Sequence, residues 1–182
     1  MRLEVDNEEF AIFLLQQFGD STAHLTPQKI QELWIEFSKH DTLFSDYTRG
    51  KVEPFLDVLF HPGAVIAEIY NLHKGAPHGV LMMTRVIPGF DALAHFTVWD
   101  SKVRGKERLF LHMMRYWMRE FNLHRLSAEV PGHMTGVIRF ARRLGFVEEG
   151  IRREGNLHKG AWMDMTMFGI TQSEVDQKLK ET

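Results

Sequence analysis

The stretch from Ala92 to Val130 constrains the fold more than any other part of the chain. Its two ends, ALAHFTVWD and RLSAEV, are short runs rich in β-forming residues. Between them, apolar side chains recur at intervals of three and four residues, which predicts a helix packed on a sheet. These side chains are Phe110, Met113, Met114, Trp117, Met118 and Phe121. Strand, helix and strand form a βαβ unit, whose two strands are parallel and whose crossover is right-handed.

Three β-rich runs before this helix predict an antiparallel meander. The runs AVIAEIYNL and HGVLMMTRV flank the turn sequence KGAP, and Pro88 with Gly89 separates the second run from ALAHFTVWD. Together with the parallel pair, the meander predicts a mixed, mostly antiparallel sheet with helices on both faces. The fold class expected from the sequence is therefore α/β with a mixed sheet.

The N-terminal part of the chain predicts a helical layer. We expect helices at residues 8–18, 26–38 and 52–60. In the second of these, Thr26 is the expected N-cap and Pro27 takes the first helical position.

The C-terminal part of the chain predicts one more helix, a pair of strands and a terminal helix. A helix from His133 is expected to end at Gly145, because glycine favours the left-handed conformation that terminates helices. A length of 182 residues suits one domain. We expect this domain to comprise the helical layer 1–62, a sheet core 63–171 and a terminal helix 172–182.

Composition and spacing exclude several kinds of site. The absence of cysteine excludes disulfides, thiolate metal sites and a cysteine nucleophile. The 10 histidines show no HxxxH or HExxH spacing, so we expect no bound metal. No segment approaches the roughly 18 consecutive apolar residues of a membrane span. A net charge of −2 argues against nucleic acid as a ligand. Residues 101–182 contain 15 Lys/Arg and 10 Asp/Glu, and this local excess of positive charge favours an anionic ligand there.

Three motifs occur in the order and spacing of a known superfamily. The first is VWDSKVRGK, the second is NLHRLSAEV, and the third is IRFARRLGF followed by EG and GAWMD. Together they resemble the GCN5-related N-acetyltransferase (GNAT) superfamily, and within it the branch that includes the ribosomal-protein N-terminal acetyltransferases. The resemblance covers residues 64–170. It implies a sheet whose central parallel strands splay apart at the cofactor site.

The resemblance implies acetyl-CoA as the co-substrate, bound where these two strands part. Backbone groups at the open strand edge would bind the pantetheine arm, and the N-terminus of the following helix would receive the pyrophosphate. The acceptor amine would enter from the other side, near the strands of residues 64–86. The cofactor-binding residues implied by the resemblance are Phe96, Thr97, Val98, Arg104, Gly105, Lys106, Arg108 and Met134.

The phosphate loop departs from the pattern of the resembling family, which is commonly Gln/Arg-x-x-Gly-x-Gly/Ala. Arg104 fits the first position, but Glu107 and Leu109 occupy positions that are small in the family. A carboxylate repels a phosphate charge by about 1 kcal/mol at roughly 4 Å in water. Lys106 and Arg108 offset this repulsion. We therefore interpret the loop as a degenerate phosphate loop.

The family's asparagine and tyrosine near the cofactor are also replaced. Met134 stands where many relatives have the asparagine, and Ala141 stands where many have a tyrosine that protonates the leaving thiolate. The resemblance therefore assigns no general acid.

Two residues are candidates for the general base, which must remove a proton from the attacking amine. Many relatives use a glutamate at the position of Leu93, which cannot accept a proton. His95 lies two residues further on the same strand face and has an ordinary pKa of about 6.5. Glu129 faces away from its apolar neighbours in RLSAEV. For both, a purely structural role is the alternative, and Glu68 is a weaker third candidate.

Two functions are consistent with these features. The first is an acetyl-CoA-dependent N-acetyltransferase that acts on a primary amine, such as a protein N-terminus, a lysine or a small amine. The amine would attack directly, and the backbone N–H groups of residues 96–98 would polarise the thioester carbonyl. The second is a catalytically silent GNAT-like structural or binding protein, such as a bacteriophage virion component, because fold alone does not fix function.

The expected location follows the same two hypotheses. It is the cytoplasm, or the virion if the protein is phage-encoded. No membrane partner is expected. The oligomeric state is not predicted, and the chain could form a homo-oligomer or join a larger assembly.

Overall fold

The computed structural model describes residues 2–5, 8–16, 25–40, 46–99 and 107–181. In chain order the elements are β1 (Arg2–Val5), β2 (Glu8–Gln16), α1 (Pro27–Ser38), α2 (Val52–Leu59), β3 (Val65–Asn71), β4 (Ala76–Ile87), β5 (Asp91–Val98), α3 (Glu107–Glu120), β6 (Arg125–Pro131), α4 (Thr135–Leu144), β7 (Val147–His158), β8 (Ala161–Thr171) and α5 (Gln172–Glu181). None of these described helices is long and apolar enough to cross a membrane.

The described strands form one eight-stranded sheet in the order β1-β2-β3-β4-β5-β6-β8-β7. The pair β5 and β6 is parallel, and the other described neighbours are antiparallel. Helix α3 connects the two parallel strands, as the βαβ pattern predicts. The predicted mixed, mostly antiparallel sheet is confirmed.

Helices pack on both faces of the sheet because strand residues alternate between its two faces. On β3, Val65 and Ala67 belong to a core shared with α3, α4 and α5, whereas Ile66 belongs to a core shared with α1 and α2. The apolar side of α3 is buried as its spacing predicts, at Phe110, Met113, Met114, Trp117 and Met118. The parallel pair therefore lies between two helical layers.

Two predicted helix boundaries are confirmed by their capping geometry. Thr26 is the N-cap of α1, and its hydroxyl oxygen accepts a hydrogen bond from the backbone N–H of Lys29 at 3.2 Å. Helix α4 ends at Gly145, whose φ of 95° is left-handed.

The helix predicted at residues 8–18 is wrong, because residues 8–16 form β2, which pairs with β3. Phe10 and Ile12 alternate into the core, while Phe13 is 50% exposed. A short apolar run does not distinguish strand from helix by its spacing alone, and the ladder with β3 satisfies its backbone groups. The predicted N-terminal helical layer therefore also contains strands. That the chain forms a single domain stays a prediction.

Candidate functional site

The parallel strands β5 and β6 part after three residue pairs, of which the last joins Leu93 to Ser127. Beyond it, β5 stays paired with β4 as far as Val98, and β6 stays paired with β8 as far as Pro131. The backbone edges that face each other across this gap have therefore left the β5–β6 ladder. Such edges can hydrogen-bond an extended ligand.

A cavity of about 760 Å³ extends through the gap from one face of the sheet to the other. Helices α1 and α2 contribute its walls on one face, and α4 contributes its walls on the other. This volume is typical of sites for small molecules and cofactors, which span roughly 300–1,000 Å³. Among the residues predicted to bind the cofactor, those in the wall are Phe96, Thr97, Val98 and Met134.

The start of the parallel pair is held by a polar cluster. The hydroxyl of Ser127 donates to Asp91 Oδ2 at 2.9 Å, and Arg125 Nη2 donates to Glu149 Oε2 at 2.7 Å. The hydrogen bond to Glu149 raises the pKa of Arg125 above its ordinary value. Gly169 leaves room for this pair, because a Cβ atom there would displace the ends of both side chains. The strands are therefore bound together where they meet and separate only beyond this cluster.

The first turn of α3 is joined to α4 by an ion pair between Glu107 and Arg143. Arg143 Nε donates to Glu107 Oε1 at 2.8 Å, and Arg143 is part of the cavity wall. Arg108, on the same turn of α3, is exposed. The predicted phosphate-loop residues Arg104, Gly105 and Lys106 lie outside the described residues.

His95 lies on β5 in the wall of the cavity. Its Nε2 atom and the hydroxyl oxygen of Thr84 are 3.0 Å apart and share a hydrogen bond. Burial lowers the pKa of His95 to about 4, with the charge of Glu129 opposing this shift and the charge of Arg85 adding to it. The imidazole is therefore neutral at pH 7.

Glu129 lies across the gap on β6 and also lines the cavity. Its Oε1 atom accepts from Arg85 Nη2 at 3.0 Å, and its Oε2 atom accepts from Arg152 Nη2 at 2.5 Å. The side chain of Glu129 is only 12% exposed. The structure thus brings the two predicted catalytic residues to one cavity, with Glu129 held as an ion pair.

The two arginines that bind Glu129 were not predicted from the sequence. Arg85 has a φ of 51°, and the register of β4 with β5 shifts between Thr84 and Ile87. Arg152 lies where the register of β7 with β8 shifts, before Asn156. β-Bulges of this kind redirect side chains and are common beside active sites. The first bulge contains no glycine or proline. The second contains Gly155, but a glycine does not indicate which side chain a bulge redirects, so the sequence does not place either arginine beside Glu129.

The side of the cavity next to α1 and α2 is an apolar chamber. Its side chains include Leu33, Phe37, Pro54, Phe55, Val58 and Met82. The rings of Phe37 and Phe55 lie 5.3 Å apart, centre to centre.

Glu68, the weaker base candidate, is buried on β3 with its Oε1 atom 3.1 Å from Lys29 Nζ. Burial alone would lower the pKa of Lys29, but hydrogen bonds to Glu32 and Glu68 raise it.

In the described ranges, no three His, Asp or Glu side chains come together in a group that could hold a metal ion.

Comparison with known proteins identifies similar N-acetyltransferases, although no protein-family model matches the chain. The chain is 31% identical over 84 residues to the SPbeta prophage-derived uncharacterized N-acetyltransferase YokL of Bacillus subtilis strain 168. That match covers 46% of this chain and 47% of the relative, so the chain spans about half the length of the curated relative it matches.

Two solved structures from Vibrio cholerae are similar over nearly the whole chain. Spermidine N-acetyltransferase in complex with CoA and spermine has a TM-score of 0.69 at 15% identity, covering 91% of this chain and 97% of that one. Spermidine/spermine N-acetyltransferase SpeG in complex with manganese ions has a TM-score of 0.67 at 13% identity, covering 93% and 96%. The chain has the fold of the GNAT-type N-acetyltransferases.

Proposed function

We propose that the chain is an acetyl-CoA-dependent N-acetyltransferase that transfers an acetyl group directly to a primary amine. The observation that carries the proposal is the cavity that crosses the sheet where β5 and β6 part. Because its walls come from α4 on one face of the sheet and from α1 and α2 on the other, two substrates could reach one point from opposite sides. A direct transfer requires this arrangement, since the amine nitrogen must approach the thioester carbon closely.

The residues of the α4 side fit acetyl-CoA. The open edge of β5 at residues 96–98 supplies backbone groups for the pantetheine arm, and Met134 supplies an apolar wall beside it. We propose that Arg104, Gly105, Lys106 and Arg108 bind the pyrophosphate at the start of α3, where helix N–H groups favour an anion. When bound, acetyl-CoA supplies the thioester whose acetyl group is transferred. The CoA in the Vibrio cholerae complex supports this assignment.

We propose that His95 takes the proton of the amine, directly or through water. A base with a pKa of about 4 is too weak to deprotonate a free alkylammonium ion at neutral pH. The fraction of the amine that is neutral therefore attacks the thioester carbon, and His95 accepts a proton from the nitrogen once the new C–N bond has made it more acidic. Glu129 assists because its negative charge raises the pKa of His95. The C–S bond then breaks, and the leaving thiolate takes a proton from water.

A calorimetric titration with acetyl-CoA tests the proposal. ATP is the control, because it carries adenine and phosphates but no pantetheine arm. Saturation at a hundredfold excess over the dissociation constant should stabilise the fold by about 2.7 kcal/mol. Transfer can be followed with a thiol reagent, since the chain contains no cysteine and every thiol released comes from CoA.

The titration also tests the silent alternative, a GNAT-like structural or binding protein such as a virion component. Occupation of small-residue positions in the family loop by Glu107 and Leu109 favours that alternative. The silent alternative would be supported if acetyl-CoA did not bind and no thiol was released with any amine of a panel. We make three further proposals with these two functions. The chain belongs to the ribosomal-protein acetyltransferase branch, it forms a single domain, and it is located in the cytoplasm or in a virion.

A further inference from the structure

The apolar chamber limits which amine can act as acceptor. Its walls combine the rings of Phe37 and Phe55 with aliphatic side chains of α1, α2 and β4, such as Leu33 and Met82. On this side of the sheet His40 and Thr48 are polar wall residues, and neither is a carboxylate. An aliphatic or aromatic body bound here would leave water, which is favourable because its apolar surface is buried against the chamber wall.

The negative charge in the described wall is already paired. Glu129 is the carboxylate among the described wall residues, and both of its oxygens accept from arginines, Arg85 and Arg152. One carboxylate between two guanidinium groups leaves this end of the chamber with an excess positive charge. Glu68, which is buried on the same sheet face, is bound by Lys29. These carboxylates are therefore poorly placed to hold a second ammonium group of a substrate.

We infer that the acceptor is a primary amine with an apolar body and no second positive charge, rather than a polyamine. This inference rests on the proposed acetyltransferase function. The apolar end of such an amine fits the chamber, and its amino group reaches the gap beside His95. A second ammonium group placed among these apolar side chains would lose its hydration, and the described wall offers it no carboxylate that is not already paired with arginines, which is unfavourable.

A matched pair of amines tests the inference. In n-hexylamine a methyl group takes the place of the second amino group of cadaverine, so the two differ in end-group charge at nearly equal size. With saturating acetyl-CoA, kcat/KM should be at least tenfold higher for n-hexylamine. Equal values, or a preference for cadaverine, would overturn the inference and indicate that the rings of Phe37 and Phe55 bind an ammonium group instead.

The failure of this inference is distinguishable from the failure of the proposed function. If acetyl-CoA binds in the titration but neither amine is acetylated, the acceptor class is wrong while the cofactor assignment stands. If acetyl-CoA does not bind, both proposals fall.

Two valine substitutions give a second test. Val58 lines the chamber and is 37% exposed, so Val58→Glu adds a carboxylate near the mouth without filling the core. The ratio of kcat/KM for n-hexylamine to that for cadaverine should fall by about tenfold. The control is Val147→Glu on β7, at a residue that is 53% exposed, which should leave the ratio unchanged. An unchanged ratio in a folded Val58→Glu protein would contradict the assignment of the chamber to the acceptor.

Discussion

Replacing His95 with asparagine tests the electrostatic environment of the cavity. Burial in the gap between β5 and β6 lowers the pKa of His95 from 6.5 to about 4, with Glu129 opposing the shift and Arg85 adding to it. The unfolded chain therefore binds a proton at His95 at a higher pH than the folded chain does. Protonation between these two pKa values favours the unfolded chain.

The size of the effect follows from the two pKa values. The stability that neutral His95 contributes is fully present above pH 6.5, falls as the pH drops through this window, and has been lost below about pH 4. At about 1.36 kcal/mol for each pKa unit, this amounts to about 3 kcal/mol. Asparagine does not titrate in this range, and its amide can still form a hydrogen bond with Thr84.

Urea unfolding followed by circular dichroism at pH 7 and at pH 4 measures this contribution. Other groups also destabilise the protein in acid. For each protein we therefore take the loss in free energy of unfolding from pH 7 to pH 4, and we compare this loss between wild type and variant. The His95→Asn variant should lose about 3 kcal/mol less than wild type. Replacing His124, whose side chain is exposed, serves as the control. An equal loss in wild type and His95→Asn would show that burial in the gap does not lower the pKa of His95, and the argument would fail.

Three further predictions concern the proposed acetyl-CoA site and the fold. Arg143→Ala should weaken acetyl-CoA binding by about tenfold in calorimetry, because it removes a positive charge 2.8 Å from Glu107. Arg142→Ala, which alters a different ion pair, should not. Gly79→Ala should lower the free energy of unfolding in urea by about 1–3 kcal/mol, because its Cβ would lie 2.5 Å from a backbone oxygen of β5. Thr26→Ala should cost about 1 kcal/mol in the same measurement, because it removes the cap of α1.

The central elements could be predicted because their signals are local. The apolar intervals of α3 and the meander before it reflect periods of 3.6 and 2 residues, which differ clearly over long segments. The strand β2 could not be predicted in this way, because its short run, including Phe10, Ile12 and Phe13, fits both periods. Pairing with β3 decides its structure, and this pairing joins residues far apart in sequence.

The sequence predicted which residues lie at the candidate site, but it did not predict the side chains that bind them. His95 and Glu129 were predicted from alternation and resemblance, and the structure places both in the cavity wall. The side chains that contact them come from other strands. Thr84 lies in the regular ladder of β4 with β5, whereas Arg85 and Arg152 lie at register shifts. Register shifts arise from the geometry of the whole sheet, so a single sequence carries little information about them.

The pairing of Glu107 with Arg143 changes how the proposed phosphate loop should be interpreted. An isolated carboxylate at the start of α3 would repel a pyrophosphate, and the repulsion would strengthen as water left the site. At 2.8 Å from Glu107, however, the Arg143 guanidinium makes the two side chains together electrically neutral. The field of such a pair falls off faster with distance than that of a single charge. Replacement of a small family residue by Glu107 is therefore compatible with binding an anion, because α4 supplies the charge that the loop position lacks.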